Sequence, residues 1–281
     1  MRVRPALTSE VPIICHLVRK LAEYEGLANE VHFDEHQYSQ HLFVDPPNPK
    51  PEVILAETDE GNVVGLALFV QISKDAIHLE DLFIDESARG QGGGIALLSQ
   101  LATIAINRGA VELQWNCLDW NEPSIKFYRS IGAIPVPDIM VFRITGSALV
   151  NKAVNPSTVD ETLNNDLIQH DNSFEDESKD YTLSFTTFLA TPVVYLPKLE
   201  ITESSPEKLH FLIEKLIGIA IAKAYSRVDI CLSLPTQRAV GELLQAKYGA
   251  VEMTGWTGWR LRGQSLVHLA ARSDKNKVNK E

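Results

Sequence analysis

The sequence predicts an α+β fold, a mixed α/β sheet with helices packed against it, followed by a shorter unit of similar order. Three observations predict this fold. Several apolar, strand-like segments lie close together within residues 52–84, and strands and helices then alternate up to residue 145. A similar alternation resumes after residue 180. The chain has 281 residues and 44% hydrophobic content, which is enough for one large domain or two ordinary ones.

The first elements are a helix and three strands. Thr8 or Ser9 can cap a helix whose apolar residues recur with helical spacing until Gly26, and a less regular helical segment follows around residues 33–43. PEVILAETDE, GNVVGLALFVQ and AIHLEDLFID then read as strands, the first two joined by a turn at residues 59–62. We expect these three strands to be antiparallel neighbours.

A glycine-rich segment, ARGQGGGIALL at residues 88–98, opens the next helix, which extends from about residue 92 to residue 108. VELQWNCL is then a strand, and PSIKFYRSIG is a short helix with Pro123 in its first turn. IMVFRIT is predicted to close the first unit as a strand.

Residues 146–180 differ in character, because NPSTVDETLNNDLIQHDNSFEDESKD is polar, acidic and without apolar periodicity. Beyond them two strands, a helix near residues 206–224, the strand VDICLSL, the helix AVGELLQAKYGA and the strand TGWRLRG repeat the order of the first unit. Residues 132–133 match residues 249–250, and residues 82–84 match residues 199–201, both with a shift of 117 (249 − 132 and 199 − 82). Two unrelated units remain the alternative.

Composition excludes several classes of partner. A net charge of −11 argues against nucleic acid, whose phosphates require clustered Lys and Arg. No apolar run has the roughly 18 residues of a membrane span and no signal peptide is evident, so we expect no membrane association and a cytoplasmic location. Cys15, Cys117 and Cys231 have no CxxC spacing and the eight histidines form no HExxH group, so we expect no metal.

The glycine-rich segment does not fit the two familiar phosphate-binding motifs. No Lys follows it as a P-loop requires, and Ile95 occupies the third glycine position of a GxGxxG fingerprint. An Arg-Gly-x-Gly-x-Gly run before a helix still lets several N–H groups converge on an anion such as a pyrophosphate. A plain strand-to-helix turn is the alternative.

LEDLFIDESARGQGGG followed by WNEPSIKFYRSIGA resembles the GNAT superfamily of acetyl-CoA-dependent acyltransferases, and within it the spermidine/spermine (diamine) and thialysine N-acetyltransferase family. The likeness covers residues 1–145, including VRPA at the start of the chain and LAEYE at the end of the first helix. It implies the GNAT acyl-CoA N-acyltransferase fold and acetyl-CoA as co-substrate. It also implies direct transfer of the acetyl group to the primary amine of a small molecule of polyamine, diamine or lysine-analogue type.

The resemblance also implies residues for each part of the site. The backbone of one strand would hold the pantetheine arm and the thioester, namely Leu82, Phe83 and Ile84. The loop and helix start after it would wrap the pyrophosphate, namely Arg89, Gly90, Gln91, Gly92, Gly93, Gly94 and Ile95. A second helix start would border the coenzyme, namely Asn121, Glu122, Pro123 and Ser124, and Asn121 also has a plain role as a helix cap. The acceptor side would comprise Glu25, Gln114, Trp115 and Asn116.

Two residues match catalytic positions of the resembled family. Tyr128 would be the general acid that protonates the departing thiolate, with a packed aromatic side chain as the alternative. An alkylammonium of pKa near 10.4 is only about 0.04% neutral at pH 7, so a proton acceptor is needed. Glu80 would receive that proton directly or through water, and a structural ion pair is its alternative. Asp81 should point to the opposite face of the strand.

The likeness departs from the family at one position. Polyamine-acetylating relatives carry an acidic-Gly-Trp-Arg segment where this chain has residues 137–140, Pro-Asp-Ile-Met, which leaves polyamine specificity open. Trp259 and Arg260, in GWTGWRLRG, would belong to the core or line the acceptor side.

With the shift of 117, the positions that match catalytic and phosphate-binding residues in the first unit fall on residues that cannot serve these roles. These residues are Pro197, Pro206, Glu207, Leu209, Phe211 and Gln245. We therefore expect a catalytic GNAT domain over residues 1–147, an acidic linker over 148–180, a degenerate, non-catalytic GNAT-like domain over 181–271 and a tail over 272–281. The two halves would form an internal pseudo-dimer, in a chain that is a monomer or a homodimer. A protein lysine or N-terminal acetyltransferase, or an acyl-CoA-binding regulatory module without turnover, are the alternative functions.

Overall fold

A computed structural model describes residues 1–31, 34–44, 50–145, 173–175, 182–184, 186–188, 193–196, 206–222, 227–233 and 237–278. It forms two compact units, one made of Met1–Val136 with Gly255–Glu281 and the other of Pro137–Thr254. The predicted acidic linker lies outside the described residues except for positions 173–175. Among the described helices, none is both long and apolar enough to cross a membrane.

The strands, in chain order, are β1 (Arg2–Pro5), β2 (Pro51–Glu57), β3 (Val63–Gln71), β4 (Ala76–Ile84), β5 (Glu112–Leu118), β6 (Ile134–Val136), β7 (Ile139–Thr145), β8 (Ser173–Glu175), β9 (Thr182–Ser184), β10 (Thr186–Phe188), β11 (Val193–Leu196), β12 (Arg227–Ser233), β13 (Val251–Glu252) and β14 (Trp256–Arg262). The α-helices are α1 (Val11–Glu25), α2 (Glu35–Ser39), α3 (Gly93–Asn107), α4 (Glu122–Ser130), α5 (Pro206–Ala222), α6 (Arg238–Tyr248) and α7 (Gln264–Val278).

The first unit is built on a seven-stranded sheet of order β1-β2-β3-β4-β5-β14-β6. β2, β3 and β4 are antiparallel neighbours, as the sequence predicts. One face of the sheet carries the main core, in which Leu97 and Leu101 of α3 meet Leu113 of β5 and Leu261 of β14. The helix α1 buries an amphipathic stripe and ends at Gly26, whose positive φ of 75° suits glycine at a left-handed helix end.

Two strands are exchanged between the units, which corrects the prediction that each half is closed by its own last strand. β14 lies between β5 and β6 in the first sheet, whereas β7 lies between β12 and β13 in the second sheet, of order β10-β11-β12-β7-β13. β7 and β14 are separated by the same 117 residues as the repeat (256 − 139). Their last four residues, 142–145 and 259–262, alternate apolar and polar side chains in the same way, so this pattern does not decide which sheet each strand joins.

The exchange also relocates a motif. Gly258, Trp259 and Arg260 lie in β14, which pairs with β5 along its whole length, so the first sheet does contain a Gly-Trp-Arg segment beside β5. The chain supplies it from residues that follow the second unit.

The second unit packs α5 and α6 on one face of its sheet. Ile144 of β7 and Ile230 of β12 meet Leu244 of α6 in this core. On β7 and β12, Arg143 and the buried Asp229 form a two-point ion pair with Nε–Oδ1 2.9 Å and Nη2–Oδ2 3.1 Å. This partial sheet is compatible with a truncated repeat of the first, and the duplication itself remains a proposal.

We expect a fragment of residues 1–136 to lack a stable fold, because it ends before both β7 and β14 and leaves the facing edges of β5 and β6 unpaired. Truncating one large aromatic side chain in a core costs about 3–5 kcal/mol, and the whole stability of a domain is about 5–15 kcal/mol. The fragment loses Trp259 and Leu261, which are both fully buried. Thermal unfolding followed by circular dichroism measures the effect.

A matched chain retains β14 by replacing residues 137–254 with a linker of about four residues. Val136 lies opposite Gly258 in the antiparallel β6–β14 pair, so a short turn can join the two strands. This chain should unfold cooperatively. A cooperative transition of the 1–136 fragment at the midpoint of the whole chain would contradict the role of β14 in completing the first sheet.

Candidate active site

The site lies where two parallel strands separate. β4 and β5 pair only at Ala76–Glu112, Ile77–Leu113 and His78–Gln114. Beyond these pairs β4 continues to pair with β3, and β5 with β14, so their facing edges have no sheet partner among the described strands. Unpaired N–H and C=O groups line both sides of this opening, which suits an extended chain that carries its own amide groups. Leu82, Phe83 and Ile84 lie on its β4 side.

A β-bulge in β4 decides which side chains face which side. Asp81 is opposite Leu68 and Leu79 is opposite Phe69, so Glu80 is an extra residue in the ladder. Ile77 and Leu79 pack in the main core before the bulge, and Leu82 and Ile84 pack against the same core after it. The bulge therefore turns both Glu80 and Asp81 to the face of the sheet opposite the main core. This face carries α1 and α2.

This arrangement corrects the prediction that Glu80 and Asp81 point apart. Strict alternation would separate them, but the inserted residue removes the alternation at this point. Both carboxyl groups add to the rise in the pKa of the buried Tyr38 hydroxyl, which burial causes first. Asp81 is thus a second candidate for acid–base work, beside Glu80.

A third carboxyl group joins them from the end of α1. Burial raises the pKa of Asp81 to about 7. Burial, and then the charge of Asp81, raise the pKa of Glu25 to about 8. Asp81 Oδ2 is buried and accepts no hydrogen bond from the residues that the structure describes. A positive charge placed between these groups would stabilise their ionised forms and would itself be stabilised.

The influence of Glu25 extends to the side of the opening where Tyr128 lies. Burial raises the pKa of the Cys117 thiol to about 12, with a further contribution from Glu25. Burial, and then the charges of Cys117 and Glu25, raise the pKa of Tyr128 well above its usual range. Glu25 therefore interacts electrostatically with Asp81 and also raises the pKa of Tyr128.

Tyr128 is held by aromatic rings. Its ring centroid lies 5.0 Å from that of Trp115, 5.7 Å from that of Phe127 and 5.8 Å from that of Trp259. Tyr128 is 7% exposed and, with Ile125, is one of the two buried residues of α4. A protonated phenol is thereby kept at one end of the β4–β5 opening.

The start of α4 is tied to the end of α1. Asn121 Oδ1 accepts hydrogen bonds from the Ser124 N–H at 3.3 Å and from the Tyr24 hydroxyl at 3.2 Å. Pro123 lies in the first turn of the helix, as predicted, and Glu122 adds an acidic residue there. Asn121 is therefore a helix cap, which leaves its predicted role beside the coenzyme a proposal.

The glycine-rich loop forms an open helix start. Gly90 and Gly92 have φ values of 75° and 84°, which other residues adopt only with strain, and Gly92 caps α3 without a side-chain hydrogen bond. A Cβ on Gly93 would lie 2.8 Å from the Ile84 side chain, so the loop packs closely on β4. The first-turn N–H groups of α3, from Gly93 to Ile95, have no intrahelical acceptor and suit an anion.

The Arg89 side chain contacts the chain before the loop, and its role at the pyrophosphate stays a prediction. Its Nε donates to the Ile84 carbonyl at 3.2 Å, and its guanidinium lies 4.9 Å from the centroid of the Tyr24 ring. The neighbouring Gln91 Nε2 donates to the Ser87 carbonyl at 3.4 Å. Both side chains thus bind the backbone before the loop, and the glycine backbone supplies the groups that face outwards.

The three acceptor-side residues of β5 divide between two faces. Trp115 is buried in the main core beside Tyr128, whereas Gln114 and Asn116 alternate with it and face the side of α1. Gln114 and Asn116 therefore lie on the same face of the sheet as the carboxyl groups, whereas Trp115 lies on the face of the Tyr128 phenol. Sequence reasoning missed Asp81, since a bulge has no local signal, and left Trp259 undecided although its Gly-Trp-Arg motif was visible.

Comparisons with known proteins agree with the fold described above. Residues 18–133 match the model of the acetyltransferase (GNAT) family. The chain is 28% identical over 162 residues to the thialysine N-epsilon-acetyltransferase of Mus musculus, covering 53% of this chain and 94% of the relative. It is 34% identical over 92 residues to L-ornithine N5-acetyltransferase NATA1 of Arabidopsis thaliana, covering 31% of this chain and 40% of the relative. A GCN5-related N-acetyltransferase from Sphaerobacter thermophilus shares the fold over 93% of this chain and 95% of its own, with a TM-score of 0.57 and 14% identity.

The raised pKa values of Asp81 and Glu25 predict that stability falls as pH rises. Both folded-state pKa values exceed the unfolded ones, so their stabilising effect is complete below about pH 4 and is lost as pH rises through about 7 to 8. The substitution Asp81→Asn removes the contribution of Asp81 to this pH dependence of stability. Between pH 5 and pH 8 the free energy of unfolding should fall in both proteins, and the fall should be roughly 1–3 kcal/mol smaller in the variant than in the wild type.

Urea unfolding at the two pH values measures this difference. Asp75→Asn, at an exposed position before β4, is the matched control and should behave as the wild type. Parallel pH dependences of the wild type and Asp81→Asn would show that Asp81 is ionised normally in the folded protein.

Proposed function

The chain is an acetyl-CoA-dependent N-acetyltransferase with the GNAT fold, and we propose that its acceptor is the primary amine of a small molecule of lysine-analogue, diamine or polyamine type. The observation that carries the proposal is the pair of partly buried carboxyl groups with raised pKa values, Glu25 and Asp81, beside the β4–β5 opening. Such a pair suits an alkylammonium group, whose charge would compensate theirs. The thialysine and ornithine named for the two relatives both carry an amine on a side chain.

Acetyl-CoA fits the opening as the acyl donor. Its pantetheine arm would pair with the free edge of residues 82–84, and its pyrophosphate would meet the first-turn N–H groups of α3. This loop can approach a phosphate closely because Gly90, Gly92, Gly93 and Gly94 bear no side chains. The thioester would then lie at the end of β4, between the carboxyl groups and Tyr128.

The acceptor must lose a proton before it can attack. An ammonium group of pKa near 10.4 transfers its proton more readily to a carboxylate of raised pKa than to one near 4.3. Glu25 and Asp81 have such values, and Glu80 lies on the same face. We assign binding of the ammonium to Glu25 and Asp81, and receipt of its proton to Asp81 or Glu80, directly or through water.

Tyr128 completes the transfer. The neutral amine attacks the thioester carbonyl carbon and a C–N bond forms. The nitrogen then gives up a second proton to solvent, the carbonyl re-forms, and the C–S bond breaks to release the thiolate. Tyr128 gives its hydroxyl proton to the sulfur and regains a proton from solvent. Because burial raises its pKa, the phenol keeps this proton over the physiological pH range until charge develops on the sulfur.

The test is release of free thiol from acetyl-CoA with a panel of thialysine, lysine, ornithine, putrescine and spermidine. We expect amine-dependent release with at least one of them. Tyr128→Phe should lower kcat about 10²–10⁴-fold, the usual contribution of general acid catalysis, with little change in the KM for acetyl-CoA. Glu25→Gln and Asp81→Asn should mainly raise the KM for the amine, because they weaken the charge that holds the ammonium group.

Tyr248→Phe makes the same chemical change at a buried tyrosine of the second unit, and it should leave kcat unchanged. Wild-type kcat in Tyr128→Phe would contradict the general acid. Acetyl-CoA binding without thiol release on any small amine would contradict the acceptor class and direct the search to lysine side chains or N-termini of proteins.

A further inference from the structure

Tyr128 lies on a short helix that buries few of its own side chains. α4 has 9 residues, of which Ile125 and Tyr128 are buried. A general acid must be within hydrogen-bond reach of the atom that it protonates, about 2.6–3.2 Å. The neighbours of the Tyr128 ring therefore decide whether its hydroxyl is in place.

Two of these neighbours are indoles from adjacent strands. Trp115 of β5 and Trp259 of β14 are direct partners across the antiparallel pair, and both ring centroids lie within 5.8 Å of that of Tyr128. Trp259 is 2% exposed, and the Arg129 guanidinium lies 6.0 Å from its ring centroid. The Trp259 indole thus contacts two consecutive residues of α4.

We propose that Trp259 is a positioning residue for the reaction, which holds the Tyr128 phenol at the β4–β5 opening. The inference rests on the proposed function, since it concerns the role of Tyr128 as general acid. β14 is well suited to this task, because pairing with both β5 and β6 fixes its register. The side chain that aligns the acid is therefore supplied by a strand that follows the whole second unit in the chain.

Trp259 acts on catalysis through Tyr128 alone. Without the indole the phenol ring loses one of its walls and can turn away from the sulfur. A displacement of about 1 Å at a reacting group can cost about 10²-fold in rate. A purely structural role predicts a different result: lower stability, but the same kcat for the molecules that remain folded.

A double-mutant cycle on the full chain separates these roles. Trp259→Leu should lower kcat about 10- to 100-fold, with the KM for acetyl-CoA nearly unchanged. In a Tyr128→Phe background the same substitution should change kcat less than about 2-fold, because the group that it positions is absent. Trp259→Phe keeps an aromatic wall and should restore most of the activity. Leu261→Ala, on the same face of β14, is the control that lowers stability but leaves kcat unchanged.

Thermal unfolding of each variant establishes that assays are made on folded protein, and Trp259→Met replaces Trp259→Leu if the latter does not fold. Equal losses of kcat in the wild-type and Tyr128→Phe backgrounds would overturn the proposal, as would unchanged kcat in Trp259→Leu. These results leave the proposed function intact when Tyr128→Phe alone is impaired. Unimpaired Tyr128→Phe would overturn the role of Tyr128 itself, and the role of Trp259 with it.

Discussion

The separation of β4 from β5 is the constraint on which the rest of the site depends. The two parallel strands pair over three residues and then part, so backbone groups of both face a common opening. The bulge at Glu80 accompanies this separation, because it turns two successive carboxyl groups to one face and returns the Leu82 and Ile84 side chains to the core. The proposed site thus lies where the sheet itself is incomplete.

The exchange of β7 and β14 makes the first unit depend on residues far along the chain. Each strand occupies in one sheet the place that its counterpart, 117 residues away, occupies in the other. The proposed duplication accounts for this arrangement, because two copies can close their sheets with each other's strands. The first sheet thereby contains a strand from the part of the chain that follows the second unit.

Sequence reasoning predicted what has a local signal. The α1 stripe and its terminal Gly26, the helix opened by the glycine loop, the Asn121 cap and the three antiparallel strands follow from spacing and capping. The resemblance added Tyr128, which no spacing rule singles out. The bulge could not be predicted, because one inserted residue changes no composition, and the strand exchange could not, because both strands suit either sheet.

We propose that acetyl-CoA lies along the free edge of β4 with its pyrophosphate at the start of α3. Amide hydrogen exchange of the full chain with and without acetyl-CoA, in the absence of any amine, tests this placement. Bound acetyl-CoA should slow exchange at residues 82–84 and 90–95, where the thioester arm and the pyrophosphate would accept or give hydrogen bonds. Protection that is absent from both segments, or strongest in the second unit, would contradict it.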